Sequence, residues 1–123
     1  MKTSELTGAD LAYWVARAQG LESPSIVTIG TTDPRRVCQY VHHHDPGDDG
    51  WWTDYEPHLD WAIGGPIIEK FKISIGFIGE WFAREYCAFK KHEGSSALEA
   101  AMRCLVYSNF GDEVPDNIGG GEG

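Results

Sequence analysis

The most constraining feature of this chain lies near its C-terminal end. There Ser96-Ala97-Leu98-Glu99 reads as a capping box, and Leu98, Ala101, Met102, Leu105 and Val106 follow at helical spacing. Such a helix carries one apolar stripe that must be buried against another element. Gly111 ends it and Pro115 prevents a restart. Near the other end, Leu11, Trp14, Val15 and Ala18 repeat the pattern. Thr7 is placed to cap that helix, Asp10 suits its positive dipole end, and Gly20 closes it. Tyr13 and Arg17, four residues apart, fall on a neighbouring face that reads as a solvated edge.

Between the helices the pattern changes to strands. Ile26-Val27-Thr28-Ile29 reads as a short edge strand and Val37 to Val41 as another, before the breaker-rich loop from His42 to Gly50. Phe71, Ile73, Ile75 and Phe77 alternate with polar or small residues, which predicts a half-buried strand with those four side chains inward. Gly79-Glu80 is a hairpin turn, and Trp81 to Phe89 returns antiparallel. A short helix precedes the hairpin, with Asp60 as its cap, Gly64 and Gly65 as its entry and Pro66 in its first turn, setting Trp61, Ile67 and Ile68 against the sheet.

The expected class is therefore α+β: a small antiparallel sheet of three to four strands packed with two main amphipathic helices. Both helices on one face, or an α/β/α sandwich, satisfy the stripes equally. Residues 1–116 form a single domain, and 117–123 a flexible glycine-rich tail.

Charge narrows the function. Nineteen acids against ten bases give a formal net charge of -9, which repels a phosphate backbone. The only basic runs, Arg35-Arg36 and Lys90-Lys91, are two residues long. No direct nucleic-acid binding is expected; a basic protein surface is the natural counterpart. Cys38, Cys87 and Cys104 are odd in number and widely spaced, which suggests neither a disulfide framework nor a zinc ribbon. The chain opens without an apolar leader, and no run approaches the ~18 apolar residues that span a bilayer. A soluble cytoplasmic protein without membrane attachment follows.

Several constellations invite chemistry. His42, His43 and His44 with nearby carboxylates suggest a metal site, with His42, His44 and His58 as the ligand candidates, but adjacent side chains diverge and a solvated loop is the simpler reading. The loop 45–50 lacks the spacing and terminal Glu of a calcium loop. Asp60 and Glu69 could serve as acid and base, although a cap and an exposed helix residue explain them. Gly64-Gly65-Pro66 could offer amides to an anion, without a Lys-Ser/Thr partner to support it. Cys87 or Cys104 with His92 would need a stabilised thiolate, and Cys104 sits among apolar neighbours. Trp51, Trp52, Trp61 and Trp81 could stack bases in a basic protein; in this acidic one they are assigned to protein contact or core, with at least two of the four in the core.

The chain resembles the NinX-like family of small phage and prophage proteins. The resemblance rests on Glu5-Leu6-Thr7-Gly8 with Tyr13-Trp14-Val15-Ala16, on Tyr55 through Glu69, and on Ala100-Ala101-Met102-Arg103 with Phe110 to Pro115. Its most specific piece is Asp60-Trp61 followed by Gly64, Gly65, Pro66, Ile67, Ile68 and Glu69. Pro57-His58-Leu59 stands where other members are serine-rich, and residues 23–52 carry no evident match. The resemblance implies a phage or prophage source and a bacterial-host cytoplasm, and it brings no catalytic residues. The reading is a phage accessory protein, not favoured as an enzyme and without a cofactor, that binds a host or phage protein and thereby inhibits a defence or nucleic-acid-processing complex. Its binding face is Asp48, Asp49, Trp51, Trp52, Asp54, Tyr55 and Glu56. A metal-dependent enzyme built on the His42–His44 loop is the alternative.

Overall fold

The computed structural model describes residues 1–86 and 88–115. The expected tail and the end of the domain at 116 lie outside the described residues. After a 3-10 turn at Thr3–Glu5 come α1 (Gly8–Gln19), β1 (Glu22–Ile29), β2 (Arg35–His42), β3 (Trp51–Asp54), α2 (Trp61–Lys70), β4 (Ser74–Phe77), β5 (Trp81–Arg84), β6 (His92–Gly94) and α3 (Ala97–Phe110).

The α+β class holds, with six strands divided between two antiparallel sheets ordered β1-β2-β3 and β4-β5-β6. The layering differs from both arrangements drawn from the sequence. The helices α1 and α3 pack on each other; α1 also packs on β1 and β2, while α3 packs on all three strands of the second sheet. Helices occupy the middle and sheets the outside. This explains why Leu11 through Ala16 are buried as six consecutive residues, more than one amphipathic stripe would hide. Tyr13 is among them at 1% exposure, with its hydroxyl accepting a hydrogen bond from Arg17 Nη1 at 3.0 Å. Its face is interior because α1 is covered on two sides.

Both long helices end as their sequences dictate. Ser96 Oγ accepts from Glu99 N at 3.0 Å, and Glu99 Oε1 reaches back to Ser95 N at 2.7 Å. At the end of α1, Gly20 adopts φ 70°, the left-handed cap that glycine reaches without penalty. Thr7 holds the N-cap backbone position of α1, although its side chain makes no capping bond.

The middle of the chain departs from expectation in three places. Asp60 does cap α2, with Oδ1 accepting from Ala62 N at 2.9 Å, but the helix begins at Trp61. Gly64 and Gly65 therefore lie within it, and Pro66 is its sixth residue. Pro66 and Ala62 sit on the exposed side, so the carbonyl left without a partner faces water. The alternating run is the second departure. Phe71 ends α2, the strand is only Ser74–Phe77, and of the four residues read as inward only Ile73 is buried; Ile75 is 37% and Phe77 59% exposed. Third, the return strand stops at Arg84, and β6 forms from His92-Glu93-Gly94, which the sequence leaves as loop. A Cβ at Gly94 would stand 2.5 Å from Ala100 N, so the close approach of β6 to α3 requires glycine.

The segments at either end of the described chain meet. Lys2 bridges Glu113, and Thr3 Oγ1 donates to Gly111 O at 2.7 Å. No helix among the described residues is long and apolar enough to cross a membrane.

Candidate functional site

β3 pairs with β2 in the register His42↔Trp51, Val41↔Trp52, Tyr40↔Thr53 and Gln39↔Asp54, and among the described residues no strand pairs with its other edge. Neighbours in a strand point to opposite faces, so Trp51 and Trp52 project on either side of the sheet. They are 50% and 53% exposed. An edge-to-face series leads inward from Trp51 to His42 (5.1 Å), Tyr40 (6.0 Å) and Tyr55 (5.6 Å). Tyr55 is only 6% exposed, and burial raises its hydroxyl above the ordinary tyrosine value. It anchors the strand from inside and is removed from the binding face read from the sequence.

The acidic residues of that face divide by role. Asp49 is exposed, and Asp54 is exposed while accepting from Gln39 Nε2 at 2.8 Å. Glu56 is half-buried and paired with Arg35 at 3.4 Å. Asp48 organises the loop instead of facing a partner: it accepts from the backbone amides of His44 (3.0 Å) and Asp45 (2.9 Å) and bonds the His43 ring at 2.8 Å. Those amide bonds, the one from Asp45 foremost, and then His43 hold its carboxyl below the usual range. Glu22, accepting from His43 Nε2 at 3.0 Å, and then Asp48, accepting from the other ring nitrogen, raise the imidazole above its ordinary value. Asp49, Trp51, Trp52 and Asp54 remain exposed along and beside the β3 edge, with the two indoles on opposite faces of the sheet.

The metal candidates are not brought together. His42 packs on Trp51 and His44 is exposed on the loop, whereas His58 is 8% exposed in the segment before α2. Burial keeps the His58 imidazole below its ordinary value, and its Nδ1 has no hydrogen-bond partner among the described residues. No group of three or more His, Cys, Asp or Glu side chains among the described residues could hold an ion.

Asp60 and Glu69 stand near opposite ends of α2, roughly 13 Å apart along its axis, too far to act on one bond. Gly64 and Ile67 form the buried side of that helix, which packs chiefly on α3; Trp61 is 54% exposed and Pro66 and Glu69 face solvent. The indole assignment is also corrected. Trp51, Trp52, Trp61 and Trp81, the last at 36%, are all exposed, and the core indole is Trp14 at 4%. Trp51, Trp52 and Trp81 stand on the outer sheets and Trp61 on the exposed side of α2, whereas Trp14 lies on α1, which is covered on two sides. Cys104 is buried, with its thiol pushed up to about 12 by burial, and His92 stacks on Tyr107 at 4.7 Å. Cys87 lies outside the described residues.

Sequence reasoning missed a groove of about 330 Å³ whose lining includes Lys2, Lys90, His92, Tyr107 and Asp112. Its residues come from three distant segments, and Lys90-Lys91 was the only signal. Lys90 is already engaged, by Asp112 at 3.3 Å and over the Tyr107 ring at 4.8 Å.

Residues 2–109 match a protein-family model described as Bacteriophage P22, NinX. The match runs through residues 23–52, which carry no evident motif. Comparison with curated proteins gives no match.

Proposed function

Since the chain belongs to the bacteriophage P22 NinX family, we propose that it is a phage accessory protein that acts by binding another protein through the open edge of β3. The observation that carries this reading is the adjacent pair Trp51 and Trp52, each half exposed on an edge strand. Indoles of this kind are the side chains most often found to dominate binding energy at interfaces. Asp49 and Asp54 flank them, and the whole chain is acidic, so the matching surface is basic with apolar pockets. A nucleic-acid channel in a host defence or nucleic-acid-processing complex has that character, and occupying it inhibits the complex. The protein acts there in the host cytoplasm, without a cofactor.

The test is a quantitative pulldown from host lysate with the native chain and with Trp51→Ala/Trp52→Ala. The native chain is expected to capture a defined partner, and the double variant to lose it while melting at an unchanged temperature. Recovery of background alone at low salt, or equal capture by the variant, overturns the reading.

A further inference from the structure

One bond fixes the backbone parity of β3. Tyr55 N donates to Cys38 O at 2.8 Å, one step beyond the pair Gln39↔Asp54. Alternation along an antiparallel ladder then turns the amide and carbonyl groups of Thr53 and Trp51 toward β2, and those of Trp52 and Asp54 away from it. Among the described residues no other backbone group takes up that outward set.

The side chains alternate as well. Cys38, Tyr40 and Tyr55 mark the inner face of this sheet, since all three pack in the core, and Trp51 lies on that face against His42. Trp52 and Asp54 lie on the outer face, where Trp52 shares with Ser25, Val27 and Gln39 the lining of a hollow of about 400 Å³. A partner that presents a flat surface to either face reaches one indole and misses the other. A strand laid along the edge has side chains on both faces and reaches both.

We infer that the partner of the β3 edge is an extended segment that joins the sheet as a fourth strand, antiparallel to β3, with a base opposite Asp54 and an apolar residue opposite Trp52. This rests on the role proposed for β3 and gives it a geometry. Trp52 and Asp54 each exchange amide and carbonyl bonds with the residue opposite. The apolar side chain covers the Trp52 indole and the hollow beside it, and the next residue of the segment falls on the inner face against Trp51. Charge selects a base. Residues 45–56 hold five acids, Asp45, Asp48, Asp49, Asp54 and Glu56, and no lysine or arginine. Asp54 accepts from Gln39 Nε2, a neutral donor that leaves its charge uncompensated. A second copy of the chain would bring the same acids and a further net charge of -9 to this edge, whereas a base beside Asp54 is attracted to it.

The probe is a displayed library of random decapeptides, panned on the full chain, with an enriched peptide then synthesised with N-methyl groups at chosen amides. The expected consensus has a base two positions before an apolar residue, without the spacing of a helix. N-methylation of the residues that face Trp52 and Asp54 should weaken binding by about tenfold or more, and that of the residue between them should have little effect. On the protein, Asp54→Asn keeps the outward amide and should weaken binding by no more than about fivefold, the range of an exposed ion pair. Asp54→Pro removes an amide that the fold itself does not use, and should abolish binding while far-UV circular dichroism shows an intact fold. If Asp54→Pro does not fold, the methylated peptides on the native chain decide. No enrichment, a consensus with helical spacing, binding indifferent to the position of methylation, or self-association through this edge overturns the inference. In each of those cases capture from lysate that still requires Trp51 and Trp52 leaves the β3 face standing, and its loss overturns both.

Discussion

Adjacent glycines in α2 should respond to alanine in opposite directions. Both lie in the helix interior without positive φ, so replacing either by alanine gains about 1 kcal/mol of intrinsic helix propensity. At Gly65 nothing opposes this gain: the nearest atom to an added Cβ is Trp61 Cε3 at 3.9 Å, an ordinary contact. At Gly64 the added Cβ would stand 2.6 Å from the Pro57 carbonyl oxygen and 2.6 Å from Leu98 Cδ2. Leu98 can rotate, but the carbonyl belongs to the backbone and α2 must move away from α3. Overpacking of this kind costs roughly 1–3 kcal/mol or more, and lifting the helix also loosens Ile67. With the clash at the upper part of that range, Gly64→Ala is a net loss of about 1–2 kcal/mol, whereas Gly65→Ala is a gain of up to ~1 kcal/mol. For a chain of this length each kcal/mol moves the melting temperature by roughly 3–5 °C. Thermal and urea melts of the two variants should therefore bracket the native protein, with Gly65→Ala above and Gly64→Ala below. Two variants that melt together, or Gly64→Ala above the native chain, would show that the tight seam between α2 and α3 does not exist as described.

Other perturbations probe the core and its titrating groups. Cys38 and Cys104 are buried with thiols pushed up to about 12; in a Cys87→Ser background an aromatic disulfide reagent near neutral pH should label neither until denaturant is added, and rapid native labelling would refute their burial. His58 is held neutral by burial, below its ordinary value of 6.5. The unfolded chain therefore takes up the proton first, and stability should fall as pH drops through 6.5 toward the lowered native value. His58→Gln should flatten that loss between about pH 7.5 and about pH 5.5 in urea melts. His43 is raised by Glu22 and Asp48, so it acts with the opposite sign. Its contribution is present below 6.5 and lost as pH rises through the raised value, and His43→Gln should steepen the same profile.

What could be read from the chain alone follows the range of the forces involved. The capping box at Ser96, the glycine closure at Gly20 and the cap at Asp60 are local, set within four residues, and all three are found where the sequence places them. The β1 and β2 segments likewise declare themselves through β-branched runs. What failed is non-local. Nothing in residues 71–77 indicates that Phe71 ends α2 and that the strand is only four residues long, so an inward face was assigned to side chains that stand in solvent. β6 is three residues long and exists because β5 and α3 hold it. The same reason defeats the indole assignment: whether a tryptophan is core or surface depends on which layer its strand occupies, and periodicity cannot tell an outer sheet from an inner one. In the binding face, Trp51, Trp52, Asp49 and Asp54 were legible as a cluster, whereas the burial of Tyr55 and the loop-organising role of Asp48 depend on partners in β2 and the loop.

Placing the helices inside has a further consequence. α1 and α3 satisfy their stripes against each other and one sheet apiece, and among the described residues β1, β3, β4 and β6 each have one edge without a strand partner. In the first sheet the outer edge of β1 is closed by its own irregularity: Pro24 lacks an amide, the register shifts between Glu22 and Ser25, and Ser23 sits at φ 51°. In the second, Arg103 closes β6. Each sheet thus retains one open edge, and the two differ in chemistry. β3 presents indoles among carboxylates, whereas β4 presents an uncharged apolar strand bounded by one base and one acid. Surfaces so different do not serve one partner, and they belong to separate sheets on opposite sides of the helix pair. Their effects should therefore be independent. Phe77→Asp should leave capture of a partner by Trp51 and Trp52 unchanged. Loss of capture in Phe77→Asp, with far-UV circular dichroism showing an intact fold, would mean that the two edges form a single interface, contrary to the layering of this fold.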